Sequence, residues 1–416
     1  MHLEKLAAAL ATPKFPVRGA NGMNLVITGK VGVALLRAAR LRSDLGLAPA
    51  TLQAVPPVDA SGRDVMGHSG VRELVAPLFA AEDPAIGIRV ASSKERILVR
   101  GLSCSVTEGE LLPNSLLRVC DTRTPFLDSP IRGVNVYVDA PGLMLLGRAS
   151  ELNQLVSSGR MSNLSATAEL MGLGCELCGT YSFEPGHDGG CGFGLDPLAT
   201  SSEVSSYLAA SRGRHGAKLA RQAAKMLLDG SASPMESILG LMLSNPPRYG
   251  GVSLTFGALN RPIDLSNDPR GLLMHRSMRP DIRFDRFGIS LEYNGRDSHA
   301  PERSMRDDKL RIEDYSTMGD TLFILRSEDL RDTSSLERTL ARIANAIDAK
   351  GHRTEARRVL RLLDDPARHA IRAEVLGSLL AQSRPRVASV NRRETRRVKR
   401  KRHARLPGNK EPGPAS

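Results

Sequence analysis

Asp281 and Glu292 are the two side chains best placed to do chemistry together. They belong to the stretch Pro-Asp-Ile-Arg-Phe-Asp-Arg-Phe-Gly-Ile-Ser-Leu-Glu-Tyr-Asn-Gly, residues 280–295. Two carboxylates held close repel each other unless a cation lies between them, and hard oxygen ligands suit Mg²⁺ or Mn²⁺. The elements that must bring them together are two short strands joined by a turn at Arg286 to Gly288. In the second strand Ile289, Leu291 and Tyr293 alternate with Ser290, Glu292 and Asn294, the period of a half-buried strand. Successive side chains point to opposite faces, so Glu292 and Asn294 share a face away from Leu291. Asp281, opening the first strand, is then expected to meet Glu292 at the sheet surface.

The flanking chain supplies the supports. In Asp229-Gly-Ser-Ala-Ser-Pro-Met-Glu, Ser233 is a good N-cap, Pro234 takes the first helical position and Glu236 the third. That is a capping box with Pro in its favoured place. The helix runs to about Ser244 and stops at Asn245-Pro246-Pro247. Strands are expected over Val252–Leu259 and Leu272–Met278. After the acidic hairpin, a helix is expected over Pro301–Met318, broken by Gly319-Asp320. Thr321–Leu325 (TLFIL) reads as a short strand buried on both faces. Ser335–Lys350 reads as a helix, and residues 351–382 as one or two amphipathic helices.

Residues 1–210 form a first, mixed α+β block. Its expected helices are Val33–Leu45, Val71–Ala81 and Leu143–Leu155. Its expected strands are Ile97–Gly101, Leu116–Cys120 and Gly133–Val138. Residues 201–230 read as helical and basic, with Arg212, Arg214, Lys218, Arg221 and Lys225 on a solvated face. The whole is an α/β chain: the first block, then residues 211–350 around the acidic hairpin, a helical extension 351–382, and a tail.

The tail, residues 383–416, is Arg/Lys-rich with few large apolar residues and is expected to be disordered. From Arg384 onward it carries twelve Lys/Arg against two Glu, so it holds most of the net charge of +13. Such a tail binds polyphosphate through counterion release without reading sequence. Nucleic acid is therefore an expected partner. Base stacking is not an expected mode, because aromatics are 4% of residues and Trp is absent.

Other chemistries find little support. The N-terminus Met-His-Leu-Glu-Lys-Leu lacks the apolar core of a secretory leader and no apolar run reaches membrane-span length, so a cytoplasmic, non-membrane protein is expected. Five scattered cysteines argue against a disulfide framework. Cys175, Cys178, His187 and Cys191 have the ligand types for zinc, but their spacing matches no common zinc module. The expected reading is that Cys175 and Cys178 are small buried residues at a helix end. No phosphate-cradling Gly-rich loop with its Lys follows an expected strand, which removes a nucleotide-hydrolase reading.

A helix bearing Glu, then Asp in one strand, Glu-x-Asn in the next, a basic helix and an apolar strand resembles the PD-(D/E)xK nuclease superfamily. The closer likeness is to its branch related to very-short-patch-repair endonucleases. It rests on Glu292-Tyr293-Asn294-Gly295, His299 and Arg306-Asp307-Asp308-Lys309-Leu310-Arg311. Uncharacterised actinobacterial proteins with such a C-terminal domain also resemble the chain, and their N-terminal part is loosely analogous to abortive-infection antitoxins. The resemblance implies a restriction-endonuclease-like mixed sheet flanked by helices. It implies Asp281 and Glu292 as ligands of Mg²⁺ or Mn²⁺, Glu236 as an accessory acid, and DNA phosphodiesters as substrate. The family's Lys position is Asn294, which can orient a water but carries no charge and is no base. Lys309 would substitute for that Lys, and His299 would serve as base. The alternative is a nuclease-fold protein without hydrolysis, binding nucleic acid or acting in a toxin–antitoxin-type setting.

Overall fold

The computed structural model describes residues 23–78, 86–124, 131, 133–185, 190–266, 271–295 and 302–383, with side chains from 309 onward in the last stretch. In the first half the elements are β1 (Met23–Thr28), α1 (Gly29–Leu41), β2 (Leu45–Ala50), α2 (Gly62–Gly67), α3 (Ser69–Val75), β3 (Gly87–Val90), α4 (Ser93–Leu98), β4 (Ser103–Val106), β5 (Leu116–Asp121), β6 (Val134–Asp139), α5 (Pro141–Ser157), α6 (Asn163–Leu177), β7 (Tyr181–Phe183) and β8 (Cys191–Phe193). There follow α7 (Ser201–Ala210), α8 (Ala217–Ala224), α9 (Pro234–Ser244), β9 (Ile263–Asp264), β10 (Ser277–Met278), β11 (Ile282–Phe284), β12 (Ile289–Asn294), α10 (Glu302–Thr317), β13 (Thr321–Arg326), α11 (Thr333–Ala349), α12 (Arg353–Leu363) and α13 (Pro366–Ser383). The class is α/β.

The first sheet has six strands in the order β2-β5-β6-β1-β3-β4. Its centre is the apolar strand β1, where Leu25, Val26 and Ile27 are all buried, paired in parallel with β6 from Met23↔Val134 to Ile27↔Val138. α1 leaves β1 without a loop. A Cβ on Gly32 would stand 2.8 Å from the Ile27 carbonyl oxygen, so the helix folds back this closely only because residue 32 has no side chain. The ends of the central strands are tied by charge. Arg89 donates to both Asp139 carboxylate oxygens, at 2.9 and 2.6 Å, and Thr28 donates to Oδ2 at 2.6 Å.

The second sheet is β11-β12-β13. β11 and β12 are antiparallel, with Ile282↔Leu291 and Phe284↔Ile289, and β12 runs parallel to β13, with Glu292↔Ile324. One face carries Ile282, Phe284, Ile289 and Leu291, all buried in the same apolar cluster as Leu336, Leu340 and Ile343 of α11. α10 connects β12 to β13 and packs on β13. α13 lies along α6 and against α9. Ser162 and Ser165 donate to Glu374, and buried Arg372 binds Glu337 and the Gly250 carbonyl. One apolar cluster runs from Leu25 to Leu380. No helix among the described residues is long and apolar enough to cross a membrane.

Several local expectations change. Ile97 to Gly101 is not a strand: Ser92 accepts the Glu95 amide and starts α4, and this Ser-x-x-Glu signal outweighs the short apolar run. The helix expected over Val33–Leu45 starts at Gly29, and Leu45 already opens β2. Val252 to Leu259 is irregular. The amides of Val252 and Leu254 bond to the Met242 and Leu243 carbonyls at the end of α9, and Ser253 has φ +52°. Of Leu272 to Met278 only Ser277–Met278 pairs, with Ile263–Asp264, because the Met274 and His275 amides are taken by the Asp314 carboxylate. Among the described residues β13 is the edge of its sheet rather than a strand buried on both faces. Only Leu325 is buried, and Ile324 is 38% exposed. The basic run splits into α7 and α8 around Gly213 and Gly216, both at positive φ. The tail from Arg384 lies outside the described residues.

Candidate functional site

The hairpin register, continued one residue past Ile282↔Leu291, sets Asp281 opposite Glu292. Directly opposed residues in an antiparallel pair project to one face. That face is the one opposite Leu291, and it also carries Ser290 and Asn294.

Asp281 is fixed by the backbone: its Oδ2 accepts the Tyr293 amide at 2.6 Å. Its carboxyl is pushed up to about 7. Burial is the largest cause, and the Glu236 charge adds to it. The Tyr293 amide opposes the rise, Glu292 adds to it, and the Arg311 charge lowers it. Asp281 thus feels the charges of both glutamates.

Glu236 is buried at the third position of α9. Ser233 accepts the Glu236 amide at 3.2 Å, as a capping helix start requires. The reciprocal arm differs from the expected box. Glu236 Oε2 accepts from the Ala232 amide at 2.9 Å and from Asn260 Nδ2 at 2.7 Å, so it caps one residue upstream and also ties in a distant loop. Asn260 is the knot. It has φ +54°, its amide donates to the Asp281 carbonyl at 2.9 Å, and its own carbonyl accepts from Arg279 Nε at 2.6 Å.

Glu292 is held from the helix above. Its Oε1 accepts from Arg311 Nη2 at 2.6 Å and from Tyr315 Oη at 2.8 Å. Arg311 and Tyr315 are four apart on α10 and so lie on one helix face. Burial and the neighbouring Glu292 charge push the Tyr315 phenol up, so it stays a donor. Among the described residues, Asp281 Oδ1, Glu236 Oε1 and Glu292 Oε2 take no hydrogen bond.

The remaining expected residues are placed less centrally. Asn294 is exposed at the last position of β12, in register with Arg326. Lys309 is exposed and forms no ion pair among the described residues. His299 lies outside the described residues, as do the side chains of Arg306, Asp307 and Asp308. Arg311, which the sequence offered only as the last letter of a motif, is the cation that reaches the acids. Its signal was the four-residue spacing to Tyr315. Asn260 and Arg279 sit in irregular segments and gave no signal.

The fit to a divalent cation is that of a pair. Asp281 and Glu292 each present an oxygen with no hydrogen bond, a donor set of hard carboxylates, and crowded charge that a cation would offset. Among the described residues no three His, Cys, Asp or Glu side chains form a group that could hold a metal ion. Of the cysteine set, Cys175 and Cys178 are buried at the end of α6, as expected, and burial pushes the Cys175 thiol up to about 12 and the Cys178 thiol higher still; Cys191 is half-buried, and His187 lies outside the described residues. The adjacent Glu176 is structural: it takes a two-pronged ion pair from Arg37 and accepts from Ser182 and the Phe183 amide. No family model matches the chain, and no curated protein or solved structure matches it.

Proposed function

We propose that the Asp281–Glu292 face is a divalent-cation site for hydrolysis of DNA phosphodiester bonds, in a domain of PD-(D/E)xK nuclease type. The observation that carries this reading is the hairpin register, which sets Asp281 opposite Glu292 on one face of the sheet, and the raised carboxyl of Asp281, due first to burial and then to the Glu236 and Glu292 charges, agrees with it. The mixed sheet β11-β12-β13, with α10 between its parallel strands, supports it.

Asp281 and Glu292 would hold Mg²⁺ or Mn²⁺. When bound, the ion polarises the scissile phosphate and lowers the pKa of the attacking water. The chain's own part is positional. The Tyr293 amide sets the Asp281 carboxylate, Arg311 and Tyr315 set Glu292, and Asn260 ties Glu236 to the Asp281 backbone. Asn294 stands two residues beyond Glu292 and can hold a water through its amide.

The test is Mg²⁺- or Mn²⁺-dependent cleavage of plasmid, branched and mismatched DNA by the full chain, against Asp281→Ala and Glu292→Ala. The expected outcome is cleavage by the parent protein and its loss in both variants. Equal activity in all three rejects the reading.

One observation favours a second reading. The strand position that carries Lys in the nuclease family is Asn294, and Arg311, the cation that reaches the acids, is engaged with Glu292. A nucleic-acid-binding or regulatory module without hydrolysis would bind DNA with a steep salt dependence, through residues 384–416, and would show no cleavage whichever metal is added.

A further inference from the structure

Arg311 has two calls on its charge. Its guanidinium donates to Glu292 Oε1 at 2.6 Å, and its charge also lowers the carboxyl of Asp281. It is the only Arg or Lys ion-paired with Glu292 among the described residues. The arginine side chain is 35% exposed and that of Glu292 15%, so the arginine is the more open to solvent of the pair. Tyr315 binds the same oxygen and keeps Glu292 oriented when the arginine leaves.

We propose that Arg311 is the exchangeable cation of this site: it neutralises Glu292 until a divalent ion binds, and then turns its fork to a phosphate oxygen of the nucleic acid. The inference rests on the cation-site reading above and names the residue that couples metal to substrate. A guanidinium and a divalent ion on one carboxylate repel each other, so loading the ion weakens the Arg311–Glu292 pair. Arginine's planar fork then suits phosphate, which it binds through paired hydrogen bonds. This supplies the positive charge that Asn294 does not.

The test is Mn²⁺ titration by calorimetry on the full chain, together with equilibrium binding of a short DNA duplex with and without Mn²⁺. The proteins are the parent, Arg311→Gln, Arg311→Lys and Asp281→Asn. Removing a competing ion pair of this exposure is expected to tighten Mn²⁺ by roughly fivefold in Arg311→Gln. The gain in DNA affinity that Mn²⁺ confers is expected to shrink by about tenfold in Arg311→Gln, as for one lost charge-assisted bond, and in part in Arg311→Lys. Mn²⁺ affinity that is unchanged or weaker in Arg311→Gln, with Asp281→Asn still abolishing binding, overturns the exchange and leaves the metal site standing. Mn²⁺ binding that is absent in the parent, or indifferent to Asp281→Asn, overturns both. Arg311→Lys keeps a cation on the helix but loses the planar fork, so should the Gln variant fold poorly, a smaller Mn²⁺-dependent gain in DNA affinity than the parent's supports the exchange and an unchanged gain overturns it.

Discussion

Asn260 bridges Glu236 and Asp281: its side-chain amide donates to Glu236 Oε2 at 2.7 Å, and its backbone amide donates to the Asp281 carbonyl at 2.9 Å. The two acids come from different elements, and this residue fixes their separation. Asn260 is buried and in the left-handed region, where Asn and Gly are tolerated and β-carbon sterics disfavour most others. Asn260→Ala is expected to lose about 2–4 kcal/mol, from a hydrogen bond to a charged group plus backbone strain. Asn260→Gly keeps the loss of the bond but relieves the strain, so urea denaturation should rank Gly above Ala. Equal stability of the two variants would mean the backbone geometry carries no cost.

The raised Asp281 carboxyl makes stability depend on pH with a definite sign. In the unfolded chain an Asp deprotonates near 4, and in the folded chain this one is pushed up to about 7. Between those values the folded state binds more protons than the unfolded one. Stability contributed by this group therefore falls as pH rises from about 4 to about 7, and is lowest above that window. Asp281→Asn should flatten the slope. Melting temperatures measured across the window in metal-free buffer check this, and parallel curves for the two proteins would contradict it.

Cation binding should reverse that loss. Above pH 7, Mn²⁺ at a hundred times its dissociation constant stabilises the folded state by about 2.7 kcal/mol. The melting temperature of the parent should rise, whereas Asp281→Asn and Glu292→Gln should respond little. A rise of equal size in all three proteins would place the ion elsewhere.

In the first sheet, Asp139→Asn leaves the buried Arg89 guanidinium without its counter-charge. Arg89 and Asp139 side chains are 6% and 2% exposed. Breaking a buried pair from one side costs about 3–5 kcal/mol. Thr28→Val removes one hydrogen bond from the same carboxylate and should cost closer to 1–2 kcal/mol. Denaturation midpoints of the two variants give the comparison, and an Asp139→Asn effect no larger than that of Thr28→Val would refute it.

The hairpin was legible because a strict two-residue alternation, a Gly turn and flanking breakers agree with one another, and alternation alone assigns Glu292 and Asp281 to a face. The helix before it was legible from Ser233, Pro234 and Glu236. What surrounds the acids was not. Asn260 and Arg279 act from segments without period, and Asp314 converts an apolar run at Leu272 into a tethered loop by taking two of its amides. Tertiary partners of this kind leave no local pattern. Thr321–Leu325 misled for the converse reason: composition reports an apolar strand but not which of its sides lacks a neighbour.

Glu236 serves two masters. The carboxylate that seats the first turn of α9 also leans on Asp281, and α9 packs against α6 and α13. Whatever settles the charge of the acidic face, proton or ion, therefore eases a load carried by the helical layer. Occupancy at the sheet should register as slower amide exchange at the start of α9, remote from any bound phosphate.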